Sequence, residues 1–132
     1  MRYIERYVLY YLPPLLCMGL IFYLSSRTWV PIPLPAWVIV RDKVAHAIMY
    51  GGLCYLWVRA LHTGHDQPLR AAGFAFAVLI AALYGWSDEY HQSFVPGRSS
   101  SVGDAVADSV GALILACILY IHQRTREGLT DF

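Results

Sequence analysis

The chain reads as an all-α integral membrane protein, four transmembrane helices in one antiparallel bundle. Three observations carry that reading. First, 58% of the 132 residues are hydrophobic and only 14% charged, with a mean hydropathy of +0.46, and a soluble globule of this size needs more charge to cover its surface. Second, the apolar residues fall into four runs, each near the roughly 20 residues that cross about 30 Å of hydrocarbon. Third, ten tyrosines and four tryptophans supply the amphipathic rings that collect at membrane–water interfaces. The length fits one domain.

The first span is expected over about 7–24, where Pro13-Pro14 predicts a kink or a late start because each proline lacks a backbone donor. Arg2 and Arg6 precede this run as in a signal peptide, but the prolines and the lack of a small-x-small cleavage site predict a retained helix. The second span is expected over about 44–61, the third over about 71–86 and the fourth over about 102–121, with a polar tail from His122. Between the first two, Pro31-Ile-Pro-Leu-Pro35 flanked by Trp29 and Trp37 predicts extended backbone along the interface. The second connection, Arg59 to Arg70, is short and polar, with His62, Gly64, His65 and Asp66. The third, Ser87 to Val102, holds Pro96-Gly97, which is turn chemistry. Cys17, Cys54 and Cys117 sit singly inside apolar runs and read as small buried hydrophobes.

An even number of spans puts both termini on one side. That side carries Arg2, Arg6, Arg59, Arg70, Arg124 and Arg126, against Arg27, Arg41, Lys43 and Arg98 opposite. The excess places the termini in the cytoplasm, in the cell membrane, by the positive-inside rule. The basic residues are scattered singly, which excludes a nucleic-acid partner and leaves membrane lipids as the expected surroundings.

The same parity collects polar residues at one face. Asp42, His46 and Tyr50 are spaced i, i+4, i+8 on the second helix, and Asp104 and Asp108 i, i+4 on the fourth. Asp88, Glu89, His91 and Gln92 close the third, followed by Arg98. Gly103, Ala107 and Gly111 form a small-xxx-small ladder for close packing of the fourth helix. Five of the nine acidic residues therefore meet at one end. Left alone in a low dielectric they would repel and take up protons, so some must pair with Arg98, Lys43 or a histidine, bind a cation, or exist protonated.

Each residue has a structural and a chemical reading. Arg98 would fold back on a carboxylate to latch the third connection, or receive an anionic group. Asp42 would cap the second helix, or orient His46 for proton transfer. Tyr50 is expected to hydrogen-bond into this network. Asp42, His46, Asp88 and Glu89 are the candidate catalytic set, and Lys43, Tyr50, Gln92, Arg98, Asp104 and Asp108 the candidate ligand-binding set. Hard oxygens on several helices would favour Mg, Ca or Mn, but no HExxH, paired Glu-x-x-His or DxD is present, so no metal ligand and no cofactor is assigned.

Asp42-Lys43-x-x-His46-x-x-x-Tyr50, Asp88-Glu89-x-x-Gln92-x-Phe94-x-Pro96-Gly97-Arg98 and Asp104-x-x-x-Asp108-x-x-Gly111 together resemble the VanZ-like family, over about 25–111. The resemblance implies a small multi-helix membrane protein of the cell envelope. The family takes its name from a protein linked to low-level teicoplanin resistance. Asp108 departs from the asparagine common in the family, and Leu115 from a small residue. Three function classes follow. One is a protein that binds or modifies a lipid-linked or anionic envelope component and alters glycopeptide sensitivity. Another is a membrane enzyme on a lipid phosphate or ester, with Asp/His proton transfer and Arg98 and Lys43 on the anionic group. The third is a small transporter or partner-binding subunit with a carboxylate relay, against which stands the scarcity of polar residues in the other half of the spans.

Overall fold

A computed structural model describes residues 3–28, 36–63 and 68–130. They form four α-helices, α1 (Tyr3–Ser25), α2 (Ala36–Leu61), α3 (Ala71–Gln92) and α4 (Val102–Thr130). All four are long and apolar enough to cross a membrane. The protein is a multi-pass membrane protein.

Each helix extends beyond its apolar run, for local reasons. α1 starts at Tyr3 and runs through Pro13 and Pro14, so the prolines do not delay it. α2 begins at Ala36, immediately after the proline-rich run, which itself lies outside the described residues together with Trp29 and the loop residues Gly64, His65 and Asp66. α3 continues to Gln92, because Ser87 to His91 are helix-compatible and the Gln92 amide bonds the Asp88 carboxylate one turn back. The third connection therefore starts at Ser93 rather than Ser87. α4 continues to Thr130 instead of ending near Ile121, held by an Arg124–Glu127 ion pair at i, i+3 and a Gln123 bond to the Leu69 carbonyl. Its 29 residues span about 43 Å, more than the hydrocarbon needs.

The packing is ordered around α4, which lies chiefly on α2 and next on α3, with α2 also on α3. α1 is the outer helix, set against α2 and more lightly α3. It turns Leu12, Leu15, Leu16, Leu20 and Phe22 outward. In water that face would be costly, and in lipid it is the ordinary solvent-facing side. The core is small: Leu53, Cys54, Val58, Ala77, Ala81, Ala112 and Ala116 are buried. Alanines and glycines at the contacts let backbones approach where van der Waals contact drives association. The closest approach is Gly111 on Ala47. A Cβ at Gly111 would overlap the Ala47 carbonyl oxygen and lie 2.6 Å from its carbonyl carbon. Of the cysteines, Cys54 is buried but Cys117 faces outward.

Candidate functional site

The start of α2, the end of α3 and the start of α4 meet at one end of the bundle. Asp88, Glu89, Gln92, Asp104 and Asp108 are all buried there, none more than 8% exposed. Buried carboxylates are rare unless paired or used, and here four stand together.

Their partners follow the α2–α4 crossing. Lys43 Nζ donates to Asp104 Oδ1 at 2.7 Å, and Gly103 makes room for the lysine, since a Cβ there would sit 2.8 Å from Nζ. One turn deeper, His46 Nδ1 lies 3.0 Å from Asp108 Oδ1, a carboxylate with only 1% of its side chain exposed. His46 thus takes its partner across the helix pair. The expected Asp42–His46 pairing is not made: α2 has already run two turns by Asp42, so Asp42 caps nothing and sits exposed. On α3, Glu89 Oε2 accepts the Ser101 backbone N–H at 2.9 Å, while Ser101 Oγ accepts from Gly103 N–H at 3.1 Å. Two orphan donors at the start of α4 are satisfied this way. Gln92 Nε2 donates to Asp88 Oδ2 at 2.9 Å.

Three polar atoms in this region are buried with no partner among the described residues: Tyr50 Oη, Asp88 Oδ1 and Asp108 Oδ2. The network bond expected of Tyr50 is therefore absent. Gly85, one turn before Asp88, lets Asp108 and Tyr50 pack against the backbone of α3. A Cβ at Gly85 would lie 2.9 Å from Asp108 Oδ2 and 3.2 Å from Tyr50 Cε1. Ligand atoms of His46, Glu89 and Asp108 all fall within 4.8 Å of one another. The formal count is four buried carboxylates against Lys43 and, when protonated, His46.

Arg98 points elsewhere. Val95-Pro96-Gly97-Arg98 is a tight turn closed by Arg98 N–H to Val95 O, with Gly97 at φ 80° in the left-handed region that glycine allows. The turn carries the guanidinium to the end of α1, where Nη2 donates to Leu24 O at 2.7 Å and Nε to Arg27 O at 3.3 Å. The latch is real, but it closes on carbonyls, not on a carboxylate. α1 has no basic residue in its last turn, and Arg98 supplies the missing positive charge. His91 joins the same contact, with Nε2 3.0 Å from Ser26 Oγ and its ring 4.6 Å from that of Phe22. It stands with α1, apart from His46.

The opposite end is not bare. A cavity of about 430 Å³ is lined by Arg6 and Tyr10 of α1, Arg59 and Thr63 at the end of α2, and Gln123 of α4. Arg59 lies over the Tyr10 ring, 4.9 Å from its centroid. Apart from Tyr10, these polar residues lie in the stretches the sequence set outside or at the ends of the spans, and the fold gathers them around one cavity. The signal was the i, i+4 pairs Arg6/Tyr10 and Arg59/Thr63. Sequence reasoning also passed over Gly85 and Ser101, whose value lies in what they sit against. Between the two ends the buried residues are apolar.

Comparison with curated proteins and with solved structures finds no match. A family profile, VanZ/LLP1, covers residues 8–123, from the first turns of α1 almost to the end of α4 and through every residue of the site, and the chain belongs to that family.

Proposed function

We propose that this VanZ-family protein binds a lipid-linked or anionic component of the cell envelope at the polar end of its bundle, on the extracytoplasmic face of the cell membrane, and thereby alters sensitivity to glycopeptides such as teicoplanin. The observation that carries the reading is the partly exposed Lys43 ammonium beside a buried polar cluster in which Tyr50 Oη, Asp88 Oδ1 and Asp108 Oδ2 have no partner. Leaving such an atom unmet costs on the order of 1–3 kcal/mol, and that cost is retained where a ligand meets it. Lys43, its side chain 40% exposed, would receive phosphate or carboxylate oxygens, while the apolar outer faces of α2 and α4 would flank a lipid chain.

Binding is measured by native mass spectrometry in nanodiscs, comparing polyprenyl phosphate and phosphatidylglycerol with phosphatidylcholine. Selective retention of an anionic lipid is expected, reduced about tenfold or more by Lys43→Ala, as loss of a charged hydrogen bond implies. Equal retention of all three sinks the reading. In a susceptible host, expression should raise the teicoplanin inhibitory concentration, and Asp108→Leu should abolish the rise.

A second reading is favoured by the His46–Asp108 pair. A buried carboxylate on one imidazole nitrogen orients the ring for proton transfer, as an enzyme acting on a lipid phosphate or ester requires. Turnover lost in a folded His46→Ala variant supports it. A ligand that binds and is never converted rules it out.

A further inference from the structure

We propose that His46, Glu89 and Asp108 hold a divalent cation of the manganese–zinc class at the buried end of the site. The inference rests on the reading of this end of the bundle as a ligand site and names what lies at its floor.

The donor set is drawn from three different helices, α2, α3 and α4, and its ligand atoms converge within 4.8 Å. Neighbouring donors each about 2.1 Å from one ion stand about 3.0–3.4 Å apart, and opposite donors about 4.2 Å. Closing from 4.8 Å takes shifts of up to about 1 Å per donor, which side-chain torsions supply without moving a helix. The chemistry is mixed, one imidazole nitrogen and carboxylate oxygens. Imidazole suits zinc and iron, carboxylates suit manganese and magnesium, and a set of both favours the borderline ions between them.

A second buried polar group, outside the three ligands, is also unmet. Tyr50 is wholly buried and its hydroxyl has no partner. Its ring edge and the unpartnered Asp108 Oδ2 lie within 3.2 Å of the same point, the missing Cβ of Gly85. Gly85 thus lets Asp108 and the Tyr50 ring pack against its backbone, where a larger residue would displace the carboxylate. The charge balance agrees. Lys43 neutralises Asp104, and Gln92 and Ser101 bring only neutral donors to Asp88 and Glu89. Asp88, Glu89 and Asp108 then face one histidine, and a cation of charge two offsets most of that negative charge. On binding, the His46–Asp108 hydrogen bond is exchanged for two bonds to the ion. His46 then binds as the neutral ring, its proton released to solvent.

The full chain in detergent, stripped with a chelator and desalted, is titrated with Mn²⁺ while free Mn²⁺ is followed by electron paramagnetic resonance, with Zn²⁺ as competitor. One ion per chain is expected. Asp108→Asn and Glu89→Gln preserve size and hydrogen-bonding capacity and should each weaken binding at least about tenfold, the loss that even indirect changes to a metal site produce. Helicity and gel-filtration profile should match the parent, and Tyr50→Phe should keep the ion. Failure of the parent chain to bind one ion, or unchanged affinity in both carboxylate variants, overturns the cation site. A variant that does not fold is replaced by His46→Gln, for which the same loss is expected and unchanged affinity counts against the site. Ion binding without preference for anionic lipid would retain the cation site and sink the ligand reading; the reverse would sink the cation alone.

Discussion

Gly111→Ala should dismantle the polar site without touching a polar residue. The added Cβ would lie 2.6 Å from the Cα and carbonyl carbon of Ala47 and closer still to its oxygen. Non-bonded carbons rest at about 3.5–4.0 Å, so α2 and α4 must separate by about 1 Å where they cross. All the atoms in the way are backbone, and no rotamer change relieves them. His46 directly precedes Ala47, and Asp108 lies one turn before Gly111. Carried apart as rigid helices, the 3.0 Å His46–Asp108 contact opens to about 4 Å, beyond the hydrogen-bonding range. Overpacking of this kind costs about 1–3 kcal/mol, and a buried carboxylate stripped of its partner adds to it. Unfolding in SDS measures the stability, and the Mn²⁺ titration measures the site. The internal control is Gly52→Ala, on the same helix as Ala47, where nothing lies within 4 Å of the new Cβ; it should be neutral or slightly stabilising, since alanine is the better helix former. Gly111→Ala unfolding with the parent would refute the close crossing. A destabilised variant that still binds the ion with parental affinity would refute the coupling between crossing and site.

Two further variants probe the residues whose roles the structure changed. Arg98→Ala removes both donors from the last carbonyls of α1, so backbone amides near Ser25 to Arg27 should exchange faster, by an amount matching about 1–2 kcal/mol of local stability, while exchange at α2 and α4 stays unchanged. Unaltered exchange at the end of α1 would remove the carbonyl latch. Asp42→Asn, at an exposed position with no bond among the described residues, should shift unfolding by no more than about 0.5 kcal/mol and leave ion binding unaltered; a large loss of either would restore Asp42 to the site.

Much of the site was legible from spacing. A period of 3.6 residues puts His46 above Asp42 and Asp108 above Asp104, and an even number of spans brings the starts of α2 and α4 to the end of α3. What spacing does not contain is the pairing across helices. Asp42 and Asp108 are equally good partners for His46 in sequence, and the crossing at Gly111 selects Asp108 because it brings α4, not the preceding turn of α2, to the imidazole. Arg98 illustrates the same limit. Its charge predicted a carboxylate partner, but the turn at Gly97 aims it at α1, whose final carbonyls offered a negative end with no basic residue of their own. Helix ends were also missed, since apolar runs mark where hydrocarbon begins and ends, while backbone hydrogen bonding carries a helix into water as far as Thr130.

The sequence by itself determined the class, the four spans, the family resemblance and the end at which charge gathers. These depend on composition and on the geometry of single helices, which the chain encodes locally. The tertiary structure alone decided which acid meets which base, which polar atoms stay unmet beside Gly85, and that the opposite end holds a cavity. Those are contacts between residues up to sixty positions apart or more, set by how closely α2 and α4 can approach, and no one helix contains that distance.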